Sequence, residues 1–448
     1  MIDRRRVLAG LAGLAGGSNA LLGVASAQTS SGSINAVDFG LRAGSSDDQS
    51  VKLNALLTTA SSSGQQVFLP PGTYVVSDIQ LPAHVNLLGI PGKSRLLFGG
   101  NKSLLRANGG GRVQLSGIVA DGDNRPLGEG SGGLIEAGNV SQLILDDCDV
   151  VGARKNAIAL FKCGGRIERN RISGAAGAAI FAADSSGLHI TGNEISDCGN
   201  GGILVQRYEQ GRDGTIITGN RVAKTRADTG GTGQNGNAIN VFRADNVIVA
   251  NNIVSESAFS AIRGNTVSNL QITGNNCMAS GETAIYSEFG FVGAVIANNL
   301  VDGAANGISM VNFDGGGRMG TCSGNLVRNL STKGPYPATF GVGIAVEADV
   351  AVTGNVIENA PLYGIQLGWG PYMRNVIATG NIIRTSGEGI YVSVVKGVGT
   401  AVISDNVIQG TRNGGIVGHS WSETTVKDLT RKSVADYPNL IVERNIIS

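Results

Sequence analysis

The stretch "HITGNEISDCGNGGILV", His189 to Val205, places an Asn at position 193 and answers it ten residues later with Ile203, directly after Gly201 and Gly202. The figure recurs down most of the chain. An apolar residue, two variable positions, Asn, a variable position and a second apolar residue appear as "IERNRI" from Ile167, "ITGNEI" from Ile190, "ITGNRV" from Ile217, "VANNIV" from Val249, "ITGNNC" from Ile272 and "IANNLV" from Ile296. The series continues as "CSGNLV" from Cys322, "VTGNVI" from Val352, "ATGNII" from Ala378, "ISDNVI" from Ile403 and "VERNII" from Val442. A degenerate copy, "LDDCDV" from Leu145, carries Cys148 in the Asn slot. Successive slots lie mostly 22 to 32 residues apart.

After each Asn comes a second motif, Gly/Ala-Ile-x-apolar, usually nine or ten residues on. A fixed period of this length marks a repeat protein. Within a unit, apolar residues alternate with polar or small ones, so the segments are short strands. Strands this short bury a face only by stacking unit on unit around a shared interior. Asn fits a sharp corner because it tolerates left-handed backbone angles, and amides in register can bond along the stack as a ladder. The fold class that follows is all-β: a right-handed parallel β-helix of three short sheets with about 12 or more coils.

Outward from the repeats, "INAVDFGLRAGSSDDQSVKLNALLTTASSSGQQVFLPPGTYVV" reads as a capping helix opened by Asp47 and Asp48. Val51, Leu53, Leu56, Leu57 and Ala60 form its apolar face. A strand, a Pro-Gly turn and a strand follow. A helix here covers the open end of the stack, whose backbone groups would otherwise be unpaired. The N-terminus, "MIDRRRVLAGLAGLAGGSNALLGVASA", has Arg4, Arg5 and Arg6, a weakly apolar Gly/Ala-rich run, and Ala25-Ser26-Ala27 as an A-x-A cleavage site. This pattern predicts a twin-arginine export signal over residues 1–27, hence a periplasmic or secreted protein. The expected division is signal 1–27, cap and first coils 28–110, and regular repeats 111–448.

Composition agrees with this reading. Gly is abundant at 69 of 448 residues, Pro is 10, and charged residues are 15%. So much Gly without a collagen-like triplet implies many tight turns. Removing Asp3 and the three arginines with the signal takes the net charge from +1 to −1. That balance argues against a nucleic-acid partner. No later segment is long and apolar enough to span a membrane. Cys277 and Cys322 fall in inward slots and read as small core residues, Cys163 and Cys198 fall in turns, and no disulfide is expected.

The segment Asp38-Phe39-Gly40, Asp47-Asp48 and "VFLPPGTYVV" closely resembles the N-terminal cap of the pectin-lyase-like superfamily. The chain as a whole resembles twin-arginine-translocated repeat proteins of that fold. The superfamily includes polygalacturonases, pectate and alginate lyases, mannuronan epimerases and phage tailspikes. The resemblance therefore implies an extracellular polysaccharide as partner. The chain has no Asn-Thr-Asp with downstream Asp-Asp and Gly-His-Gly, and no Asp-Pro-His run. Its only histidines are His84, His189 and His419.

In such helices the outer face of the G-I-x-V strand forms the substrate groove. Two long insertions, Lys224–Ala238 and Asn329–Gly343, enter that strand four coils apart, about 19 Å at the usual strand spacing. They should wall the groove. Outward positions between them include Asn240, Phe242, Arg263, Asn265, Tyr286 and Glu288, flanked by Arg243 and Glu347. Acting on an acidic sugar needs a cation for its carboxylate and a group that moves a proton. Arg263 suits the first role, and Tyr286 or Glu288 the second; adjacent Arg, Tyr and Glu also make ordinary ion pairs on a polar sheet. Trp369, His419 and Trp421 fall further along the same side, where they either stack a sugar ring or pack under a turn.

Two function classes stand: a lyase or epimerase acting on an acidic glycan, or a non-catalytic glycan-binding or envelope scaffold. No resident metal or cofactor is required. "DGDN" (Asp121–Asn124) and "DDCD" (Asp146–Asp149) either hold Ca²⁺ or form polar turns. The position after Asn alternates in charge through Asp149, Arg171, Glu194 and Arg221, then becomes apolar through Ile253, Leu300, Leu326, Val356, Ile382, Val407 and Ile446, broken by Asn276. Tucked inward, this apolar column is core, the reading preferred from sequence. Facing outward, it is a surface for self-association.

Overall fold

The computed structural model describes residues 32–231 and 233–448; the export-signal reading of 1–27 lies outside them. Ser33–Ser448 form one compact unit. The coil that holds the opening stretch shows the plan. Leu188–Thr191 precedes the Asn, Glu194–Ser196 follows it, and Gly201–Arg212 is the long strand. Each pairs in parallel with its equivalent one coil before and one coil after, so Ile190 lies between Ile167 and Ile217, and Ile203 between Ile180 and Ile239. The pre-Asn strands build a 16-stranded sheet. The other two rows join into one sheet because several coils, such as Asn276–Glu288 and Leu300–Val311, run through the bend without a break. The stack is thus a parallel β-helix with three strands per coil. An antiparallel pairing of Gly414–Ser420 with Glu423–Val426 near its end is an exception.

The asparagines form an unbroken ladder. From Asn170 to Asn445, each Nδ2 donates to the Oδ1 of the next Asn at 2.9–3.0 Å. The same Nδ2 also donates to a backbone carbonyl, as Asn193 does to Ile167. The left-handed residue at the corner is not the ladder Asn, as the sequence reading had it, although Asn251 and Asn298 take that conformation just before two of the ladder positions. It is the residue before, where φ is positive at Gly192, Gly219, Gly274, Gly324, Gly354 and Gly380. That residue turns the chain, and the turn frees the Asn amide to point inward and bond along the axis.

Helix α1, Ser50–Ser63, buries Leu53, Leu56, Leu57 and Ala60. Val51, expected on the same face, is 84% exposed because it falls on the opposite side of the first turn. Asp48 accepts the Ser50 N–H at 2.9 Å, while Asp47 pairs with Arg42. All five cysteines are free and buried. Cys148 heads the ladder: its backbone N–H donates to Asn170 Oδ1 at 3.0 Å.

The column after Asn is not core. Strand alternation sends the residue two after Asn inward, as Val301, Ile357 and Ile383 show, so its predecessor must face out. Val356, Ile382 and Val407 are each about 40% exposed, and Ile446 is 64% exposed. Upstream in the same column, Arg171 sits 3.8 Å from Asp149 and 3.4 Å from Glu194, as a charge ladder requires.

Candidate functional site

The long strands set residues one and three after each Ile on the outer face, in vertical register. Asn240 pairs with Arg263, Arg263 with Tyr286, and Tyr286 with Ser309. Asn265 pairs with Glu288 in the next column. Arg263, Tyr286 and Glu288 are therefore brought together, as their spacing predicts.

Their arrangement differs from an open clamp. Arg263 is buried, and its Nε donates to Glu288 Oε1 at 2.6 Å. Its Nη1 stands 3.9 Å from Glu282 Oε2. Asn265 donates to the same Glu288 oxygen at 3.2 Å. Burial pushes the Glu288 carboxyl up, and Arg263 partly offsets this. Tyr286 lies under the guanidinium, 5.2 Å from ring centre to Cζ, and burial with nearby Glu282 pushes its hydroxyl up to about 12. The guanidinium thus already serves two carboxylates of its own chain.

Both insertions converge on this cluster. Tyr336, from Asn329–Gly343, reaches back to donate its hydroxyl to Glu282 Oε1 at 2.5 Å. A Cβ at Gly233, in Lys224–Ala238, would lie 3.6 Å from both Arg263 Nη atoms, so that backbone rests against the guanidinium. The Gly233 carbonyl accepts the Asn237 and Asn240 amides at 2.7 and 3.3 Å. Glu282 escaped the sequence reading because a register shift between Ser280 and Thr283 moves it out of the alternation.

Three cavities occupy this outer face. Upstream, one of about 400 Å³ is lined by Arg106, Glu136, Asn156, Phe161, Phe181 and Tyr208; the sequence reading missed it because it lies before the insertions. A second, about 370 Å³, has Asn240, Phe242, Arg263, Asn265 and Phe289 on its walls. Arg243 is exposed beside it, its guanidinium 4.8 Å from the Phe242 ring centre and donating to the Tyr208 carbonyl at 2.7 Å. The third, about 320 Å³, brings Glu347 together with Trp369, Tyr363, Gln366 and Ser309. Desolvation raises the Glu347 carboxyl to about 7, against a hydrogen bond from the Phe313 N–H at 2.5 Å.

Beyond this cavity, Trp369 and Trp421 meet edge to face at 5.8 Å, each more than a third exposed. His419 is buried, not open to the groove. Its Nε2 lies 2.7 Å from Glu388 Oε2, and its ring stacks on Tyr391 at 4.4 Å. Tyr391 donates to the Trp421 carbonyl at 2.7 Å.

The acidic runs are engaged with arginines: Asp121 with Arg95, Asp123 with Arg125, Asp146 with Arg169. Among the described residues no group of three or more His, Cys, Asp or Glu is placed to hold a metal ion. No described helix is long and apolar enough to cross a membrane.

The family described as "Right handed beta helix region" matches residues 101–222, 156–319 and 208–373. A second, "Rhamnogalacturonase A/epimerase, pectate lyase-like", matches 33–106, the cap and first coils. No curated protein matches the chain in sequence. Among solved structures, the N-terminal fragment of bacteriophage Phi29 gene product 12 is 14% identical, covers 87% of this chain and 71% of its own, with a TM-score of 0.58. The Dettilon tailspike protein is 16% identical over 86% of this chain and 68% of its own, TM-score 0.49. The catalytic unit of an alpha-1,3-glucanase from Streptomyces thermodiastaticus is 16% identical over 93% and 69%, TM-score 0.44. At these identities the likeness is one of fold.

Proposed function

Because this chain belongs to the right handed beta helix family, we propose that it is an exported protein that binds an extracellular polysaccharide along the outer face of its long strands and processes it by proton transfer. The observation that carries this reading is the line of three cavities on that one face, each pairing an aromatic ring with polar side chains. Apolar ring faces beside hydrogen-bonding groups are what a sugar chain needs. Glu347 is the group suited to chemistry. A carboxyl near 7 exists in both protonation states at neutral pH, the condition for general acid or base action. Export by the twin-arginine route, and an acidic glycan as ligand, are part of the proposal.

A second reading is a non-catalytic glycan-binding scaffold. It is supported by Arg263, which the sequence leaves open to a ligand carboxylate or a local ion pair and which its own Glu288 occupies.

The two tryptophans, Trp369 and Trp421, are the only ones in the sequence and both lie at the groove, so intrinsic emission reports binding directly. Uronic-acid polymers titrated into the protein should shift that emission and neutral glucans should not, and Trp369→Ala should raise the midpoint of the titration about tenfold. New unsaturated or reducing ends, lost in Glu347→Gln, establish processing. Binding without product selects the scaffold reading. No emission change and no product with any polymer removes both.

A further inference from the structure

We propose that the apolar column after the asparagines is one half of a two-fold interface, on which a second copy of this chain packs antiparallel. The inference is independent of the glycan reading, since the column lies on a different row of strands from the groove.

The column occupies eight consecutive rungs: Ile253, Asn276, Leu300, Leu326, Val356, Ile382, Val407 and Ile446, paired each to the next. Two residues further on, the same strands place a second outward column: Ser255, Met278, Asp302, Arg328, Glu358, Arg384, Gln409 and Ser448. Its charges occupy the four central rungs and alternate as acid, base, acid, base. Within the chain they pair across neighbouring rungs, Arg328 with Asp302 at 2.8 Å and Arg384 with Glu358 at 3.4 Å.

This order decides the orientation of a partner. A copy stacked parallel and in register would set Asp302 against Asp302 and Arg328 against Arg328. A copy turned end for end about a dyad between the Leu326 and Val356 rungs reverses the column. Asp302 then meets the partner's Arg384, and Arg328 meets the partner's Glu358, each twice by symmetry. Three of the four rung pairs are apolar on apolar in the same operation, Leu326 with Val356, Leu300 with Ile382 and Ile253 with Ile446, while the fourth sets Asn276 against Val407. The dyad that satisfies the charges also bisects the eight rungs. Self-complementarity about a dyad is the condition for an isologous interface.

The size is adequate. Eight rungs span about 34 Å, and a strip of that length about 20 Å wide covers on the order of 700 Å², close to the roughly 800 Å² per partner of a stable complex. The flanking outward positions across the Asn corner supply that width, uncharged from Ala250 through Thr273, Ala297, Ser323, Thr353, Thr379 and Ser404, with Glu443 as the one charge, on the last rung. The only partner sure to repeat the rung spacing over eight coils is another copy of this chain.

Sedimentation velocity of the full chain across a concentration series tests the proposal, with far-ultraviolet circular dichroism confirming that each variant is folded. The wild type should dimerise, and Ile382→Asp should leave a folded monomer. Arg328→Glu sets two like-charge pairs across the dyad and should weaken the dimer about tenfold. Adding Glu358→Arg restores opposite charges across the dyad while placing like charges on neighbouring rungs within each chain. The double variant should therefore recover dimerisation and lose thermal stability. A monomeric wild type, a folded Ile382→Asp variant that still dimerises, or a double variant weaker than Arg328→Glu alone overturns the proposal. Loss of glycan binding with the dimer intact would count against the groove and not against this interface.

Discussion

Asn299 Nδ2 donates to Asn325 Oδ1 at 3.0 Å, and Asn299 Oδ1 in turn accepts both the backbone N–H and the Nδ2 of Asn275. The amide is buried and fully used, since Nδ2 also reaches the Ile272 carbonyl at 2.9 Å. Asn299→Ala leaves donors on Asn275 and an acceptor on Ile272 without partners. The expected cost is about 3 kcal/mol, because stranded buried polar groups keep their desolvation penalty. In a stacked repeat the damage should centre on the nearest coils. Hydrogen exchange should show lost protection around Asn275 and Asn325 first; uniform loss across the chain would argue against a ladder of local bonds.

The head of the ladder offers the converse. Cys148 occupies the Asn slot and already donates its N–H to Asn170 Oδ1, with the Leu115 carbonyl nearby. Cys148→Asn should add one more rung and stabilise the protein by about 1 kcal/mol, read as a higher denaturation midpoint. An unchanged or lower midpoint would mean the slot is too narrow at that coil.

Tyr336 ties the Asn329–Gly343 insertion to Glu282 by its hydroxyl alone, with Phe340 packed beside it at 5.5 Å between ring centres. Tyr336→Phe keeps the ring and removes the bond. The insertion should then be cut faster by a protease while the global melting temperature moves by less than about 2 °C, as for a local opening. Equal cleavage rates would show that the hydroxyl does not hold the insertion.

The helical stack, the ladder and the two insertions were legible in sequence because each is written as a period or a break in one. Arg263, Tyr286 and Glu288 were found by counting outward from Ile. Glu282 and Glu388 were not, for different reasons. Glu282 follows a register shift, and Glu388 sits two positions before Ile390, beyond the stretch that was counted. The outward direction of Val356 and Ile382 was within reach. Once the residue two after Asn is assigned to the interior, alternation leaves its predecessor only the outside. The Arg, Tyr and Glu spacing leaves both a ligand clamp and a local ion pair open for Arg263, and side-chain geometry decides for the ion pair with Glu288.

His419→Ala should cost about 3 kcal/mol, because it strands the buried Glu388 carboxyl without its partner. It also removes the ring stacked on Tyr391, whose hydroxyl holds the Trp421 carbonyl. Tryptophan emission should therefore move to longer wavelength in the folded variant. His419→Gln, which keeps a donor toward Glu388, should recover part of the stability but not the emission. Full stability in His419→Ala would show that Glu388 needs no partner there.

Glu347 gives the chain a specific pH response. Its carboxyl titrates at about 7 in the fold against an ordinary value of 4.5, because burial disfavours the charged form. The folded state therefore holds this proton more tightly than the unfolded one. Below 4.5 both states are protonated and the group costs nothing. As pH rises from 4.5 through 7 the unfolded state gains by ionising, and stability falls until the full cost, on the order of 3 kcal/mol, is present above 7. Glu347→Gln carries no such titration. The variant's stability minus that of the wild type should then grow between pH 5 and pH 8, roughly the interval separating the two titrations, and level off beyond it. A difference that is flat with pH, measured by urea denaturation at each step, would mean that Glu347 is ionised in the fold and cannot donate the proton assigned to it.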